Sequence, residues 1–342
     1  MSESQESARK NEKVLFISDE HIAGKTSNFA AYQASIIELI HTKQYKHICM
    51  LGDDWELFNV DKEHVKAMSN LLEILTGRSS RKWQKDFDKK ARRNSGEKYQ
   101  AAESVIRGSK WFIREFLDAF PDVHIHKVEG NHEKIERYRN MLDELQKDYP
   151  KQFEWSTHGL RLGDALLTHG HIPMQPIGSP DDTARLRYFS DKFANYPLLV
   201  NIYAGIEHRA EEKEWDTPEK TKAKLQAIEA NLRQRTVDGS FAMSHHGGNS
   251  KLLVDLDWVK HLFFGHTHIR IPKFQTEKGG IIFHNTSAIV KGKTSRTPDD
   301  LGLLEGELTP EGKIINVELV RGLKKEPFDS WRRPLNTPWI TR

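Results

Sequence analysis

The stretch VLFISDEH, residues 14–21, passes from an unbroken apolar run straight into two carboxylates and an imidazole. A short apolar run bounded by polar residues reads as a buried β-strand. The chain after it, over about residues 28–41, places Phe29, Tyr32, Ile36 and Ile40 at helical spacing. Strands of the same kind recur. Residues 47–51 form a second apolar run that ends in Gly52, Asp53 and Asp54, and residues 123–128 a third that leads into Gly130, Asn131, His132 and Glu133. Strands alternating with helices define an α/β fold, in which ligands bind beyond the carboxyl ends of the strands. The chemically capable residues of this chain collect at those ends.

From residue 153 the pattern changes to short strands and tight turns, at 153–157, 160–162 and 165–168, with Gly163 and Asp164 marking a hairpin. A helix opened by Thr217 and Pro218 carries Leu225, Ile228 and Leu232, proline being suited to the first helical position. Strand character returns at 241–244, 261–265, 280–285, 301–308 and 314–319. The expected organisation is a flexible N-terminus (1–12) followed by one α/β domain (13–320). A mainly helical, basic insertion at 60–120 and a helical cap at 172–240 interrupt that domain, and a basic, proline-containing tail (321–342) follows it.

With 37% hydrophobic and 30% charged residues, the 342-residue chain can bury a substantial core. No run approaches the roughly 18 apolar residues of a membrane span, and the polar first residues lack the apolar stretch of a signal peptide. A soluble, cytoplasmic protein is expected. Cys49 is the only cysteine, so it forms neither an intramolecular disulfide nor a cysteine-built zinc site, and it reads as a small core residue. The net charge of +3 is too mild to identify a partner.

Charge distribution tells more. Between residues 76 and 98, Arg78, Arg81, Lys82, Lys85, Lys89, Lys90, Arg92, Arg93 and Lys98 outnumber Asp86, Asp88 and Glu97, and Trp83 and Phe87 lie among them. The segment is either a solvated helix or a nucleic-acid-binding arm. In the second case Arg81, Lys82, Lys85, Arg92 and Arg93 would contact phosphates and the aromatic rings would stack on bases.

Seventeen histidines are many, and several sit beside glycines and carboxylates. Ser18-Asp19-Glu20-His21, Gly52-Asp53-Asp54, Gly130-Asn131-His132-Glu133, Thr168-His169-Gly170-His171 and Gly265-His266-Thr267-His268 each follow an apolar run. Residues two apart share a face of an extended chain, so Asp19 with His21, and His266 with His268, are each expected to chelate. Mixed carboxylate, imidazole and amide donors suit manganese, iron or zinc, and donor type alone does not choose among them; manganese is the first expectation, with iron, zinc or magnesium as alternatives. Two such ions about 3.5 to 4 Å apart clamp a phosphoryl group and generate hydroxide near neutral pH. Asp53, directly after a glycine, is the natural bridging carboxylate.

These blocks resemble those of the calcineurin-like metallophosphoesterase superfamily: Asp-x-His, Gly-Asp, Gly-Asn-His-Glu, a histidine before a small residue, and Gly-His-x-His. The resemblance runs over residues 14–287, outside the two insertions. It implies a four-layer α/β/β/α sandwich with two divalent metal ions, one held by Asp19, His21, Asp53 and His268, the other by Asp53, Asn131, His169 and His266. His132 would then contact the phosphoryl oxygen and protonate the leaving oxygen rather than bind metal. His169 is favoured because ALLTHGH reads as the fourth block. His245 and His246, in SHHGG after another strand, are the alternatives for that ligand, or substrate contacts.

Departures from the family pattern narrow the substrate. Protein serine/threonine phosphatases of the superfamily carry Asp-x-His-Gly and an arginine after the second block, whereas here Ile22 follows His21 and Trp55, Glu56 and Leu57 follow Asp54. UDP-diacylglucosamine pyrophosphatases share a helical cap but typically replace the third-block histidine with arginine. Retention of His132 favours a phosphodiesterase or nuclease-like hydrolysis of a phosphate ester. A cap-bearing pyrophosphatase and, from a different class, a catalytically weak nucleic-acid- or protein-binding module are the rival expectations.

Overall fold

The computed structural model describes residues 10–22, 27, 29–55, 57, 98–174, 217–244, 250–252, 255–267, 271–275, 280–286 and 302–324. In chain order the elements are β1 (Glu12–Ile17), α1 (Phe29–Lys43), β2 (His47–Met50), α2 (Lys98–Ala119), β3 (His124–Val128), a 3-10 turn (Asn131–Glu133), α3 (Glu136–Asp148), β4 (Phe153–Ser156), β5 (Leu160–Leu162) and β6 (Ala165–Leu167). There follow α4 (His171–Met174), α5 (Pro218–Val237), β7 (Ala242–Ser244), β8 (Ser250–Leu252), β9 (His261–Phe264), β10 (Ile271–Gln275), β11 (Ile282–Asn285), β12 (Leu304–Leu308) and β13 (Ile314–Leu319).

One sheet has the order β13-β12-β1-β2-β3-β4, with β1 to β4 parallel and β12 antiparallel to β1. A second has the order β10-β11-β9-β6-β5, in which β6, β9 and β11 are parallel. The chain is thus mixed α/β with two principal sheets, and β7 and β8 form a separate hairpin.

Side chains alternate across a strand, so a strand covered on both faces feeds two cores. Leu15, Ile48, Met50, Ile125 and Phe153 pack with Tyr32 and Ile36 of α1, Ile113, Phe116 and Leu117 of α2, and Tyr138, Met141 and Leu142 of α3. The alternate residues Val14, Phe16, Cys49, Leu51 and Val128 meet Leu160, Leu167 and Phe263 of the second sheet. Phe16 and Phe263 stack with ring centroids 3.8 Å apart. A third core joins Leu166, Leu262, Phe264 and Phe283 to Leu225, Ile228 and Leu232 of α5. The Thr217 hydroxyl caps that helix by accepting the Lys220 N–H at 3.3 Å, with Pro218 opening it. Among the described residues no helix is long and apolar enough to cross a membrane.

Toward the N-terminal ends of β1 to β4, four side chains form a hydrogen-bonded row across four neighbouring strands. Glu12 Oε2 lies 2.9 Å from His47 Nε2, His47 Nδ1 2.9 Å from His126 Nε2, and His126 Nδ1 2.5 Å from Glu154 Oε1. Burial, and then the neighbouring His126, hold His47 down to about 4 in spite of Glu12. Between about pH 6.5 and 4 the unfolded chain therefore takes up a proton at His47 that the folded chain refuses, and stability falls as pH drops through that window. The expected loss is on the order of 2 kcal/mol, and His47→Gln flattens that part of the curve. Urea midpoints from pH 7 to pH 4 read both, and a variant as pH-sensitive as the wild type contradicts the assignment.

Candidate metal centre

Asp19 and His21 follow β1, Asp53 follows β2, Asn131 and His132 follow β3, His169 follows β6 and His266 follows β9. The C-terminal ends of strands from both sheets thus deliver these side chains to one place. Parallel pairing continues past the strand ends: Asp19 N–H donates to Gly52 O at 3.0 Å, His21 N–H to Asp53 O at 2.9 Å and Ile22 N–H to Asp54 O at 2.8 Å. The two loops are therefore positioned by each other's backbone as well as by their strands.

The chain does not stay extended there. Of six non-glycine residues with positive φ among the described residues, four are in this site: Asp19 (57°), His21 (45°), Asp53 (55°) and His266 (69°). Left-handed backbone costs an L-residue about 1–2 kcal/mol, and such strain concentrates where a site over-determines the backbone. The expectation that Asp19 and His21 share an extended face is corrected accordingly. Each is aimed by its own left-handed turn rather than by an extended strand. Both carboxylate oxygens of Asp19 accept the His266 N–H, at 3.1 and 2.9 Å, and one also accepts the Ser18 hydroxyl.

Among the described residues, two groups of side chains bring donor atoms within 4.8 Å of one another: His21, Asp53 and His132, and Asp53, His169 and His266. Asp53 belongs to both. Asn131 Oδ1 lies 3.0 Å from His169 Nε2 and 3.0 Å from His266 Nδ1. His169 Nδ1 donates to Leu51 O at 2.9 Å, which in the neutral ring leaves Nε2 a bare lone pair. That lone pair faces Asn131 Oδ1 and, at 3.2 Å, Asp53 Oδ2. Acceptors meeting acceptors in a buried place need a cation between them, so the donor set fits a divalent ion.

Electrostatics agree. Burial would raise the Asp53 carboxyl, but His169, then His132 and His21, hold it well below the ordinary carboxylate range. Burial depresses His169, yet the Asp53 carboxylate lifts it to about 8.

His132 stands with His21 and Asp53, its ring in edge contact with His21 at 4.7 Å between centroids. Its backbone N–H donates to Asp53 Oδ1 at 2.7 Å, and its Nε2 is 4.0 Å from Asp53 Oδ2, beyond hydrogen-bond range. His268, His245, His246, Arg81, Lys82, Lys85, Arg92 and Arg93 lie outside the described residues.

Several residues at the site had no role in the sequence reading. His171 is buried, with its ring 5.2 Å from that of His169 and neither ring nitrogen hydrogen-bonded. Burial, then Lys134, His169 and His266, push it well below the usual histidine range, so it is a neutral imidazole. Behind the loops, Lys127 Nζ donates to Asp54 Oδ2 and, at 2.6 Å, to Glu133 Oε2. Glu133 also accepts the Gly130 N–H at 2.9 Å, the Trp55 N–H at 3.2 Å and the Tyr138 hydroxyl at 3.3 Å. Burial, offset in part by Lys127, raises Glu133 to about 7. Burial and then Asp54 raise Glu20 well above the carboxylate range. The signal for this group was a lysine inside a strand covered on both faces.

Two glycines set the close approaches. Gly52 has φ +102°, and a Cβ there would come within 2.6 Å of the His169 ring. A Cβ on Gly130 would meet Asp53 Oδ1 at 2.0 Å. Gly130→Ala is expected to cost about 1–3 kcal/mol through overpacking and to weaken manganese binding by displacing Asp53. Thermal unfolding and a manganese titration check this, and wild-type values in both contradict it.

No protein-family model and no curated protein matches the chain. Among solved structures, a dimetal phosphatase from Danio rerio is similar at 12% identity with a TM-score of 0.35, over 87% of this chain and 93% of that one. That likeness is too distant to assign a role to any residue here.

Proposed function

We propose that the chain is a dinuclear metal-dependent hydrolase of phosphate esters, with phosphodiester or nuclease-like substrates favoured. The observation that carries this reading is the Asp53 carboxylate, whose oxygens lie close both to the donors of His169 and His266 and to that of His21. Asp53, Asn131, His169 and His266 would hold one ion, and Asp19, His21, Asp53 and His268 the other. Manganese is the proposed ion, with iron, zinc and magnesium as the alternatives that mixed oxygen and nitrogen donors also accept. When bound, the two ions would supply Lewis-acid charge to a phosphoryl oxygen and acidify the attacking water.

The protein's own part is orientation and proton delivery. Asp19, Asp53, Asn131 and His169 are almost wholly buried, whereas the side chain of His132 is 22% exposed. His132 thus stands on the open side of the site, where a substrate arrives, with its backbone tied to Asp53. Nε2 of His132 is suited to donate a hydrogen bond to a phosphoryl oxygen and a proton to the departing alcohol. A phosphodiester has a poor leaving group and gains most from such a donor. Arg81, Lys82, Lys85, Arg92 and Arg93 are proposed as contacts to the phosphates of a nucleic acid, on sequence grounds.

The three cores support reading the architecture as a four-layer α/β/β/α sandwich over residues 13–320. Residues 60–120 and 172–240 are proposed as the insertion and the cap, and the helices α2 and α5 that they contain pack in the apolar cores.

Purified protein with manganese is expected to hydrolyse bis(p-nitrophenyl) phosphate. His132→Ala is expected to lower kcat by roughly 10²-fold or more while retaining its metal. Unchanged turnover in that variant would sink the role given to His132, and a manganese-loaded wild type inactive on aryl diesters, oligonucleotides and nucleotide-sugar diphosphates alike would sink the hydrolase reading.

A further inference from the structure

Lys127 is the only lysine or arginine among the buried residues described, and its side chain is wholly inaccessible. It shares a face of β3 with Ile125, whose side chain is in the apolar core beneath the helices. An ammonium group in such a place is tolerated only when paired and hydrogen-bonded. The pairing reaches across two loops: Asp54 follows the shared carboxylate Asp53, and Glu133 follows Asn131 and His132. Glu133 closes the link by accepting the N–H groups of Gly130 on its own loop and Trp55 on the other.

We infer that Lys127 is a positioning residue for the metal centre, clipping the Asp53 loop to the Asn131–His132 loop so that donor atoms from both strands converge on one ion. The clip acts where the loops have no slack. Asp53 Oδ1 takes the His132 N–H at 2.7 Å, and Asp53 sits so close to Gly130 that no Cβ fits between them. A shift of either loop therefore moves donors of both groups. This inference rests on reading the donor groups as metal sites.

Position and charge have opposite signs in the test. A lysine beside a dication site repels the metal, so if Lys127 acted only through its charge, Lys127→Met would bind manganese more tightly than the wild type. If it positions the loops, the same variant binds more weakly.

The decisive protein is Lys127→Met/Asp54→Asn, which removes one charge of each sign and takes out the carboxylate left without its lysine, while Glu133 keeps the Gly130 and Trp55 N–H groups and the Tyr138 hydroxyl, so that it folds even where the single variant does not. Calorimetric titration with manganese(II) alone is expected to give at least a ten-fold weaker dissociation constant in the double variant, at a urea midpoint close to that of the wild type. Manganese binding as tight as or tighter than wild type in either variant overturns the inference. A wild-type chain that binds no manganese overturns the metal reading itself and this inference with it.

Discussion

At the junction of Asp53, Asn131 and His169, three atoms meet that are all acceptors when the His169 ring is neutral. The only proton of a neutral His169 ring is committed to the Leu51 carbonyl, which turns Nε2 toward Asn131 Oδ1 and Asp53 Oδ2 at 3.0 and 3.2 Å. Buried polar groups in that state are costly unless something positive lies between them. A proton on His169 satisfies the cluster in part, in line with the elevation of that ring to about 8. A divalent ion satisfies it fully, with His266 at hand as a further donor.

Much of the surrounding structure follows from holding such a cluster together. Two sheets packed through Phe16 and Phe263 aim the ends of β1, β2 and β3 and those of β6 and β9 at the same volume. Left-handed turns at Asp19, His21, Asp53 and His266 bend each chain inward as its strand stops. Glycines at 52 and 130 let backbone and side chains approach more closely than a Cβ permits. These features store strain rather than relieve it, and the strain is sustained by the three apolar cores and by the buried ion pairs of Lys127.

The strands bearing the site were legible because their apolar runs end abruptly in Gly-Asp, Gly-Asn-His or Gly-His, and the helix opening at Thr217 and Pro218 because its cap and proline are local signals. Helix α3 was legible too, through Tyr138, Met141, Leu142 and Leu145 at helical spacing, though the sequence reading gave it no place. What sequence could not supply is backbone direction at the strand ends. Residues two apart share a face only while the chain is extended, and Asp19 and His21 leave that regime together. Nor does local pattern show which partners a buried lysine finds. Lys127 meets Asp54 and Glu133, one 73 and the other 6 residues away in sequence, and only the parallel pairing of β2 with β3 brings them to the same point.

The central claim is that one carboxylate, Asp53, serves two metal positions at once. Metal analysis of manganese-loaded, desalted protein tests it most directly. The wild type is expected to retain about two ions per chain, and Asp53→Asn to lose both positions, to well under one ion per chain. A wild type that retains no metal, or an Asp53→Asn variant that keeps its full complement, contradicts it.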